Sequence, residues 1–461
     1  MIAITATADT SLDAPEPGIL LVQRRGGPAG YLELPPSTVT ALVALTDGPV
    51  PIADLPDDPV SRGAVLRLAH DGLLHFSVVV NRREALRATL TGELSRFEAP
   101  ESVSGAAIRL SKFAVIRRHD DELVVDAPVA GVRISVRDPR ALTVVGELAR
   151  PRTVAQLCTA LLDCSLTLVE DTVRLLVGVG AAAFVDADGQ LAEDRHPVLR
   201  QRELADVLLH AASRVGLGDQ PIGATYPFLG VLPPAPAVAD AADARRTDLP
   251  RPDLAALRAS DPPLAAVMEG RSSTQVFGPE SLTVAQVGEF LFRVARVRTV
   301  RQPEHPLPYE LTNRPYPSAG ATYDLELYLT VQHCVGLEPG IWHYDPAGHS
   351  LRLVNGDKHA VVRMIADAQR TAGGEPTSQV LVTLASRWDR LTWKYQGVAY
   401  ALALKHVGVL YATMQLAATA MGLGGCPLET GDAALFAEVT RRDPAAESSV
   451  GEFLLGTAPP G

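Results

Sequence analysis

The chain is poor in cysteine and aromatic residues and has no long apolar run, and each shortage excludes a class of protein. Of 461 residues, four are cysteines, and aromatic residues make up 5%. Cys158, Cys164, Cys334 and Cys426 form no Cys-x-x-Cys pair and have no histidines at ligand spacing, so we expect neither a disulfide framework nor a metal site. No stretch of about 18 apolar residues could span a membrane, and the N-terminal residues lack the pattern of a signal peptide. These features predict a cytoplasmic protein without a membrane-spanning segment.

What the chain does contain is typical of a globular protein with more than one domain. Hydrophobic residues make up 47% and charged residues 21%, which disfavours disorder. The length predicts two or three domains. The net charge of −11, from 42 basic and 53 acidic residues, argues against a general affinity for nucleic acid.

Two stretches about a hundred residues apart follow the same order of elements. Val39–Leu55 and Ala141–Leu157 each combine an apolar helix, a break and a second helix, and each precedes a helix that ends at a glycine and an apolar strand. This order is typical of a winged helix. We therefore predict one winged-helix-like unit at residues 1–100 and a second at 101–198, with a β-meander at Phe113–Val136. DNA binding is the alternative role for such units, and the negative charge and the lack of a basic helix weaken it.

The remainder of the chain divides into a connecting segment at residues 199–250 and a candidate catalytic domain at 251–461. The stretch from Pro233 to Arg245 is rich in proline and alanine and is predicted to be an exposed or extended linker. In the candidate catalytic domain, Leu282–Val294 has apolar residues at helical spacing. Tyr400–Leu423 is apolar nearly all round, which predicts a long buried helix.

A loop with little side-chain bulk precedes a predicted strand. Pro315 and Pro317 hold the backbone extended, and Ser318-Ala319-Gly320-Ala321 leaves backbone bare, so a flat ligand can lie against it. From Leu325 onward apolar and other residues alternate, which is the period of a strand. The pattern predicts a rigid loop suited to a large planar ring.

Two further stretches contain residue types that bind an extended phosphorylated ligand. Arg271 offers a bidentate cation and Ser273 a hydroxyl near a predicted helix end, which favours a phosphate site. After the long helix, Leu423, Gly424 and Gly425 are predicted to form a loop whose backbone N–H groups face a ligand.

The strongest indication of a reaction type is the pair Lys394-Tyr395. A cation and a phenol can both move protons when burial changes their pKa values. A surface lysine beside a core tyrosine is the alternative interpretation. His406, alone on the long helix, is more often a core residue than a catalyst, and its role stays open.

From about Arg200 to Gly456 the chain resembles the SagB-type dehydrogenases, a flavin-dependent branch of the nitroreductase superfamily. The resemblance rests on the Pro-Ser-x-Gly-Ala-x-Tyr-x-Leu-Glu run from Pro317, the Arg-x-Ser pattern at Arg271 and the Trp-Lys-Tyr block at Trp393. It implies an α+β fold in which tandem winged-helix-like units precede a nitroreductase-like domain, with a mixed or antiparallel sheet flanked by helices. It also implies a homodimer that binds FMN through Arg271, Ser273, Gln275, Pro317, Ser318, Ala319, Gly320, Leu423, Gly424 and Gly425.

The same resemblance implies azoline oxidation. Thiazoline or oxazoline rings of a ribosomally made peptide would become thiazole or oxazole, with Lys394 and Tyr395 as the catalytic pair. The N-terminal units would bind the leader of the precursor peptide, and a cyclodehydratase would be a partner. Gln275, Ala399 and Ala401 stand where the family has arginine. Two alternatives therefore stay open: another flavin oxidoreductase of this fold, and a catalytically silent winged-helix binding protein.

Overall fold

The chain folds into two units, Met1–Gln220 and Pro221–Gly461, in a computed structural model. Each unit has its own hydrophobic core. The described residues are 1–218, 221–239, 245–303, 308–373 and 379–459. Residues 240–244 of the predicted linker therefore lie outside the description. Among the residues that are described, none of the helices combines the length and apolarity that a membrane span requires.

The first unit contains short helices around β-strands, in the order that the two repeats predict. Its strands are β1 (Ile2–Ala6), β2 (Thr10–Glu16), β3 (Ile19–Arg24), β4 (Ala29–Glu33), β5 (Val50–Pro51), β6 (Leu74–Val80), β7 (Arg83–Leu90), β8 (Ile108–Leu110), β9 (Val115–His119), β10 (Glu122–Ala127), β11 (Val132–Val136) and β12 (Ala182–Phe184). Its helices are α1 (Pro36–Val43), α2 (Pro59–His70), α3 (Pro139–Glu147), α4 (Val154–Ala160), α5 (Leu166–Gly178), α6 (Ala192–Arg195) and α7 (Leu204–Ala212).

One antiparallel sheet joins the two predicted winged-helix-like units. Its order is β5-β1-β6-β7-β11-β10-β9, so strands from residues 1–100 pair with the predicted meander, which forms β9 to β11. Val132 on β11 lies opposite Leu90 on β7. The core beneath this sheet includes Phe76, Ile134 and Leu176, all buried. The division into two units at residue 100 remains a prediction.

The second unit is built on a long antiparallel sheet. Its strands are β13 (Arg246–Asp248), β14 (Leu282–Thr283), β15 (Thr299–Arg301), β16 (Leu311–Asn313), β17 (Leu325–Val331), β18 (Cys334–Val335), β19 (Gly340–Asp345), β20 (Ser350–Asn355), β21 (Val380–Arg387), β22 (Leu423–Leu428) and β23 (Glu447–Thr457). Its helices are α8 (Leu254–Ser260), α9 (Leu264–Gly270), α10 (Val284–Ala295), α11 (Lys358–Thr371), α12 (Trp388–Thr392), α13 (Ala399–Ala420) and α14 (Ala433–Thr440).

Helices cover both faces of the sheet, whose order is β13-β20-β19-β17-β21-β23-β22. Leu325, Leu327 and Leu329 on β17 pack with residues of α10 and α13, whereas Tyr328 packs with residues of α11 and α14. The alternation in the sequence therefore places leucines on one face, and the other face of this central strand is buried as well. The α+β class is confirmed.

Three sequence predictions about this unit need correction. Helix α13 is long, as predicted, but it buries only part of its surface: Tyr400 is 50% exposed and Leu404 is 41% exposed. The stretch Leu423–Leu428 is an edge strand paired with β23, not a loop. Residues 221–239 belong to the second unit, and the backbone of the proline-rich stretch is held by side chains of this unit. Because the sequence of α13 is apolar nearly all round, it did not show which face of this helix would be exposed.

Candidate active site

The loop that precedes β17 has a strained backbone. Gly320, Ala321 and Tyr323 have φ values of 52°, 53° and 44°, in the left-handed region that costs most for residues with a Cβ. Such strain is of order 1–3 kcal/mol per residue and concentrates at functional sites. The surrounding structure must therefore hold this loop firmly.

His406 and Asp324 hold the loop through hydrogen bonds. His406 Nδ1 lies 2.6 Å from Asp324 Oδ1, and His406 Nε2 accepts the N–H of Ala319 at 2.9 Å. The amide must donate, so the second ring nitrogen carries the proton and donates to the carboxylate. Ser386 Oγ donates to the other oxygen of Asp324 at 2.8 Å. Both His406 and Asp324 are buried, so the pair fixes the amide of Ala319 in one position.

Ser318, His406 and Asp324 form a serine–histidine–aspartate series that does not activate a nucleophile. Ser318 Oγ is 3.4 Å from His406 Nε2, which is long for a hydrogen bond between these atoms. The lone pair of that nitrogen is already used by the Ala319 N–H, and Ser318 Oγ accepts the N–H of Tyr323 at 3.0 Å. The series therefore shapes the loop.

The predicted pair Lys394-Tyr395 lies directly against Gly320. Lys394 Nζ donates to the carbonyl of Gly320 at 2.8 Å. A Cβ built on Gly320 would lie 2.5 Å from Lys394 Nζ and 2.5 Å from the Tyr395 hydroxyl. A side chain at position 320 would displace these two groups, so the loop and the pair lie together in the structure, and their role as one catalytic site stays a prediction.

Aromatic rings surround the Lys394 ammonium. The centroids of Tyr309, Tyr395 and Tyr226 lie 5.2, 5.6 and 5.9 Å from Nζ. Burial, and to a lesser degree the charge of Arg390, lower the pKa of Lys394. Burial, with a contribution from Tyr226, raises the pKa of Tyr395. A lysine that loses its proton more readily and a phenol that keeps its proton can act as a base and a hydrogen-bond donor.

The predicted phosphate residues are exposed at the end of α9. Arg271 follows the last residue of this helix, and Arg271, Ser273 and Gln275 are all exposed. Within the described part of the chain, the Arg271 guanidinium has no hydrogen bond or ion pair. The helix end here is the C-terminal one, whose dipole does not attract an anion. Arg271 therefore lies at a helix end, as predicted, but its phosphate role depends on its side chain and stays a prediction.

The glycines of β22 are explained by packing. A Cβ on Gly424 would lie 2.8 Å from Thr274 Cγ2, and one on Gly425 would lie 2.6 Å from Phe453 Cζ. The carbonyl of Gly425 accepts the N–H of Thr274 at 2.9 Å. The strand and the Arg271–Gln275 stretch are therefore neighbours; the prediction of a loop was wrong, and the cofactor role of Leu423, Gly424 and Gly425 stays a prediction.

The predicted residues thus fall into two groups along α13. Ser318, Ala319, Gly320, Lys394 and Tyr395 lie near His406, with Pro317 exposed at the start of the loop. The second group, at the Arg271 stretch and β22, lies near Gln415, whose Nε2 donates to Gly425 O at 3.1 Å. Gln415 follows His406 by nine positions, which is roughly 14 Å of helix. The structure does not bring the two groups into contact within one chain.

Several residues of the site were missed from the sequence. Asp324 had no signal beyond its place before the strand, and the arginine that lowers the Lys394 pKa, Arg390, lies in a segment without a motif. Tyr309 was also missed. A buried histidine such as His406 could have indicated a buried acid, because a buried imidazole needs a partner for each ring nitrogen.

Comparison with known proteins places two stretches of the chain in families. Residues 108–219 match the family model of the cyanobactin oxidase ThcOx, and residues 268–456 match the nitroreductase family model. A protein of Methanocaldococcus jannaschii assigned to the nitroreductases is 27% identical over 174 residues, which is 38% of this chain and 79% of that protein.

Two solved structures can be compared with parts of the chain. A protein of Ralstonia eutropha JMP134 assigned to the nitroreductases has a TM-score of 0.38 and 20% identity, over 52% of this chain and 100% of that chain. The E. coli microcin synthetase McbBCD complex with truncated pro-MccB17 bound has a TM-score of 0.33 and 18% identity, over 46% of this chain and 84% of that chain.

Proposed function

We propose that the chain is an FMN-dependent azoline dehydrogenase, because residues 108–219 match the cyanobactin oxidase family model and residues 268–456 match the nitroreductase family model. Its substrate is a thiazoline or oxazoline ring in a ribosomally made peptide, and its product is the aromatic thiazole or oxazole. The observation that supports this most is the contact of Lys394 and Tyr395 with Gly320, on a strained and exposed loop.

The residues present fit FMN, the family-typical cofactor. The bare backbone at Gly320 suits a flat ring, and Arg271 is an exposed cation without a partner among the described residues, which suits a phosphate. Gln275 supplies hydrogen bonds but no charge. When bound, FMN supplies the two-electron acceptor of the reaction.

Lys394 removes the proton in this proposal. The azoline loses two hydrogens and gains one ring double bond: one hydrogen leaves as a proton and the other leaves with the electron pair. Lys394 in its neutral form takes the proton, and its lowered pKa increases the neutral fraction. Tyr395 stays protonated and donates a hydrogen bond beside it. The Gly320 carbonyl orients the lysine through the 2.8 Å contact.

We further propose a homodimer in which one site draws on both chains. The exposed side of α13 is mostly apolar, with Tyr400 and Leu404 beside the charged Lys405, and suits a second copy. The two residue groups near His406 and Gln415 would then meet across that interface. The N-terminal unit binds the leader peptide, and the substrate comes from a cyclodehydratase partner.

The activity is tested with a chemically cyclised azoline peptide. The purified protein should show the visible spectrum of bound oxidised flavin, and each ring should lose the mass of two hydrogens. A colourless protein that does not bind added FMN would favour the silent binding protein. Bound FMN without azoline turnover would favour another flavin oxidoreductase of this fold.

Mixing two inactive variants tests the shared site. Arg271→Ala and Lys394→Ala homodimers are exchanged by mild dissociation and reassociation. If the two residues serve one site from different chains, each hybrid dimer has one intact site and activity returns. If both come from the same chain, no hybrid site is intact and the mixture stays inactive.

A further inference from the structure

Four side chains donate hydrogen bonds to backbone carbonyls of the proline-rich stretch before the catalytic residues. We refer to residues 221–239 as the anchored segment. Trp393 Nε1 donates to Leu232 O at 2.7 Å, and three arginines donate to the carbonyls of residues 235–237. The donor–acceptor distances are 2.9 Å from Arg390 Nη1 to Ala235 O, 3.0 Å from Arg387 Nη1 to Pro236 O, and 3.0 Å from Arg314 Nη2 to Ala237 O.

The three arginines are buried, so each guanidinium needs these carbonyls as hydrogen-bond acceptors. Arg390 is 0% exposed, Arg314 is 4% and Arg387 is 7%. A buried guanidinium without partners is strongly destabilising. Arg387 also lies 3.5 Å from Glu326, whereas Arg390 has no ion pair with any described carboxylate. Among the described residues, the hydrogen bonds of its side chain all go to backbone carbonyls.

Arg390 joins three separate pieces of backbone around the site. Its Nε donates to Thr322 O of the strained loop at 2.9 Å, its Nη1 to Ala235 O of the anchored segment, and its Nη2 to Glu310 O. The hydroxyl of Tyr309 donates back to the Arg390 carbonyl at 2.8 Å, and the Tyr309 ring lies 3.8 Å from the guanidinium carbon.

The front of the anchored segment pairs with the backbone of the catalytic residues. Gly223 and Gln396 exchange hydrogen bonds of 3.2 and 3.0 Å, and the N–H of Tyr226 donates to Lys394 O at 3.2 Å. The Tyr226 ring then meets Trp393 edge-on at 6.0 Å. The segment therefore contacts residues 393–396 near its start, at Gly223 and Tyr226, and again at Leu232.

We propose that Arg390 is a positioning residue, which, granted the proposed oxidase function, holds the strained loop and the anchored segment in place so that Lys394 stays against Gly320. Arg390 itself does not touch the reacting atoms in this account. Its planar set of three donors has no equivalent in lysine. Its charge also opposes protonation of Lys394, so its loss should affect the pH range of activity as well as the geometry.

The test compares Arg390→Ala and Arg390→Lys with a surface control. Arg363→Ala is the control, because Arg363 pairs with Glu438 on an exposed surface. Hydrogen exchange is followed at the amides of Tyr226 and Ala237, which donate to Lys394 O and to Glu310 Oε2. Both Arg390 variants should exchange faster there, with the control unchanged. This readout uses no azoline substrate, so it stands even if the proposed function fails.

Turnover separates positioning from simple stabilisation. Displacement of Lys394 should lower the rate by up to about a hundredfold, and added guanidinium ion should partly restore Arg390→Ala. The acidic limb of the rate profile should move to higher pH in Arg390→Ala and less in Arg390→Lys, which keeps the charge. If Arg390→Ala does not fold, the lysine variant carries the test. Unchanged exchange, or faster exchange with a normal rate and pH profile, would overturn the proposal.

Discussion

Gly320 and Lys394 are related by one hydrogen bond and one steric exclusion. The lysine ammonium donates to the Gly320 carbonyl at 2.8 Å, and the same nitrogen would lie 2.5 Å from a Cβ at position 320. A side chain at position 320 would therefore force the Lys394 ammonium out of its present position. The positive φ of 52° adds a second reason for glycine.

The first prediction separates these two reasons. Gly320→Ala should lose about 1–2 kcal/mol of stability from the left-handed backbone and should also displace Lys394, so turnover should fall sharply. Gly373→Ala is the matched control, since Gly373 has a φ of +75° and nothing within 4 Å of its Cβ position. Equal turnover in the two variants, at similar unfolding midpoints in urea, would show that the contact with Lys394 is unimportant.

The second prediction concerns the catalytic pair. Lys394→Ala and Tyr395→Phe should each keep FMN and lower the rate of azoline oxidation by about 10²–10⁴. Because residues that act as one unit are non-additive, the double variant should be little worse than the poorer single one. The rate is measured as loss of two hydrogens per ring. A normal rate in Lys394→Ala would remove its catalytic role.

A third prediction follows from the buried pair beneath the loop. His406→Ala leaves the Ala319 amide without its partner and the Asp324 carboxylate with only the Ser386 hydroxyl, and each buried group left unsatisfied costs about 1–3 kcal/mol. FMN affinity should fall with stability, because the loop loses its support. His359→Ala, at an exposed position on α11, is the control. Tight FMN binding by a folded His406→Ala protein would contradict this role.

The sequence was sufficient for local features and insufficient for partners that are distant in the chain. Gly320, Lys394 and Tyr395 could be singled out because small residues and an adjacent cation and phenol are visible as motifs. Arg390 and Asp324 could not, since their importance comes from backbone and side chains as far away as Ala235 and His406. The prediction of a loop at Gly424-Gly425 was wrong for the same reason. Its small size is required by Phe453 and Thr274, which no local pattern indicates.

A fourth prediction links stability to pH through Glu452. This side chain is 6% exposed, and burial, with a smaller effect of Asp367, raises its pKa from 4.5 to about 7. The folded state therefore holds this proton more tightly than the unfolded state, and the stabilisation is present below pH 4.5 and is lost as the pH rises through 7. The loss amounts to about 3 kcal/mol.

Glu452→Gln should remove this dependence. At pH 8 the variant should unfold at a higher temperature than the unaltered protein, and near pH 5 the two should differ less. Glu429→Gln, at an exposed position, should leave the profile unchanged. If the Glu452→Gln advantage is the same at both pH values, packing rather than ionisation is its cause.

The last prediction concerns how many N-terminal residues can be removed without loss of FMN binding. A protein that starts at Pro221 keeps the anchored segment and should bind FMN, whereas one that starts at Arg251 loses the carbonyls that Arg390, Arg387 and Arg314 require and should bind it poorly. If the N-terminal unit binds the leader, the longer fragment should oxidise leader-bearing peptide poorly and a leaderless azoline peptide at the rate of the full chain. Equal losses on both peptides would make the N-terminal unit structural, and tight, salt-sensitive binding of duplex DNA by that unit would favour a regulatory role instead.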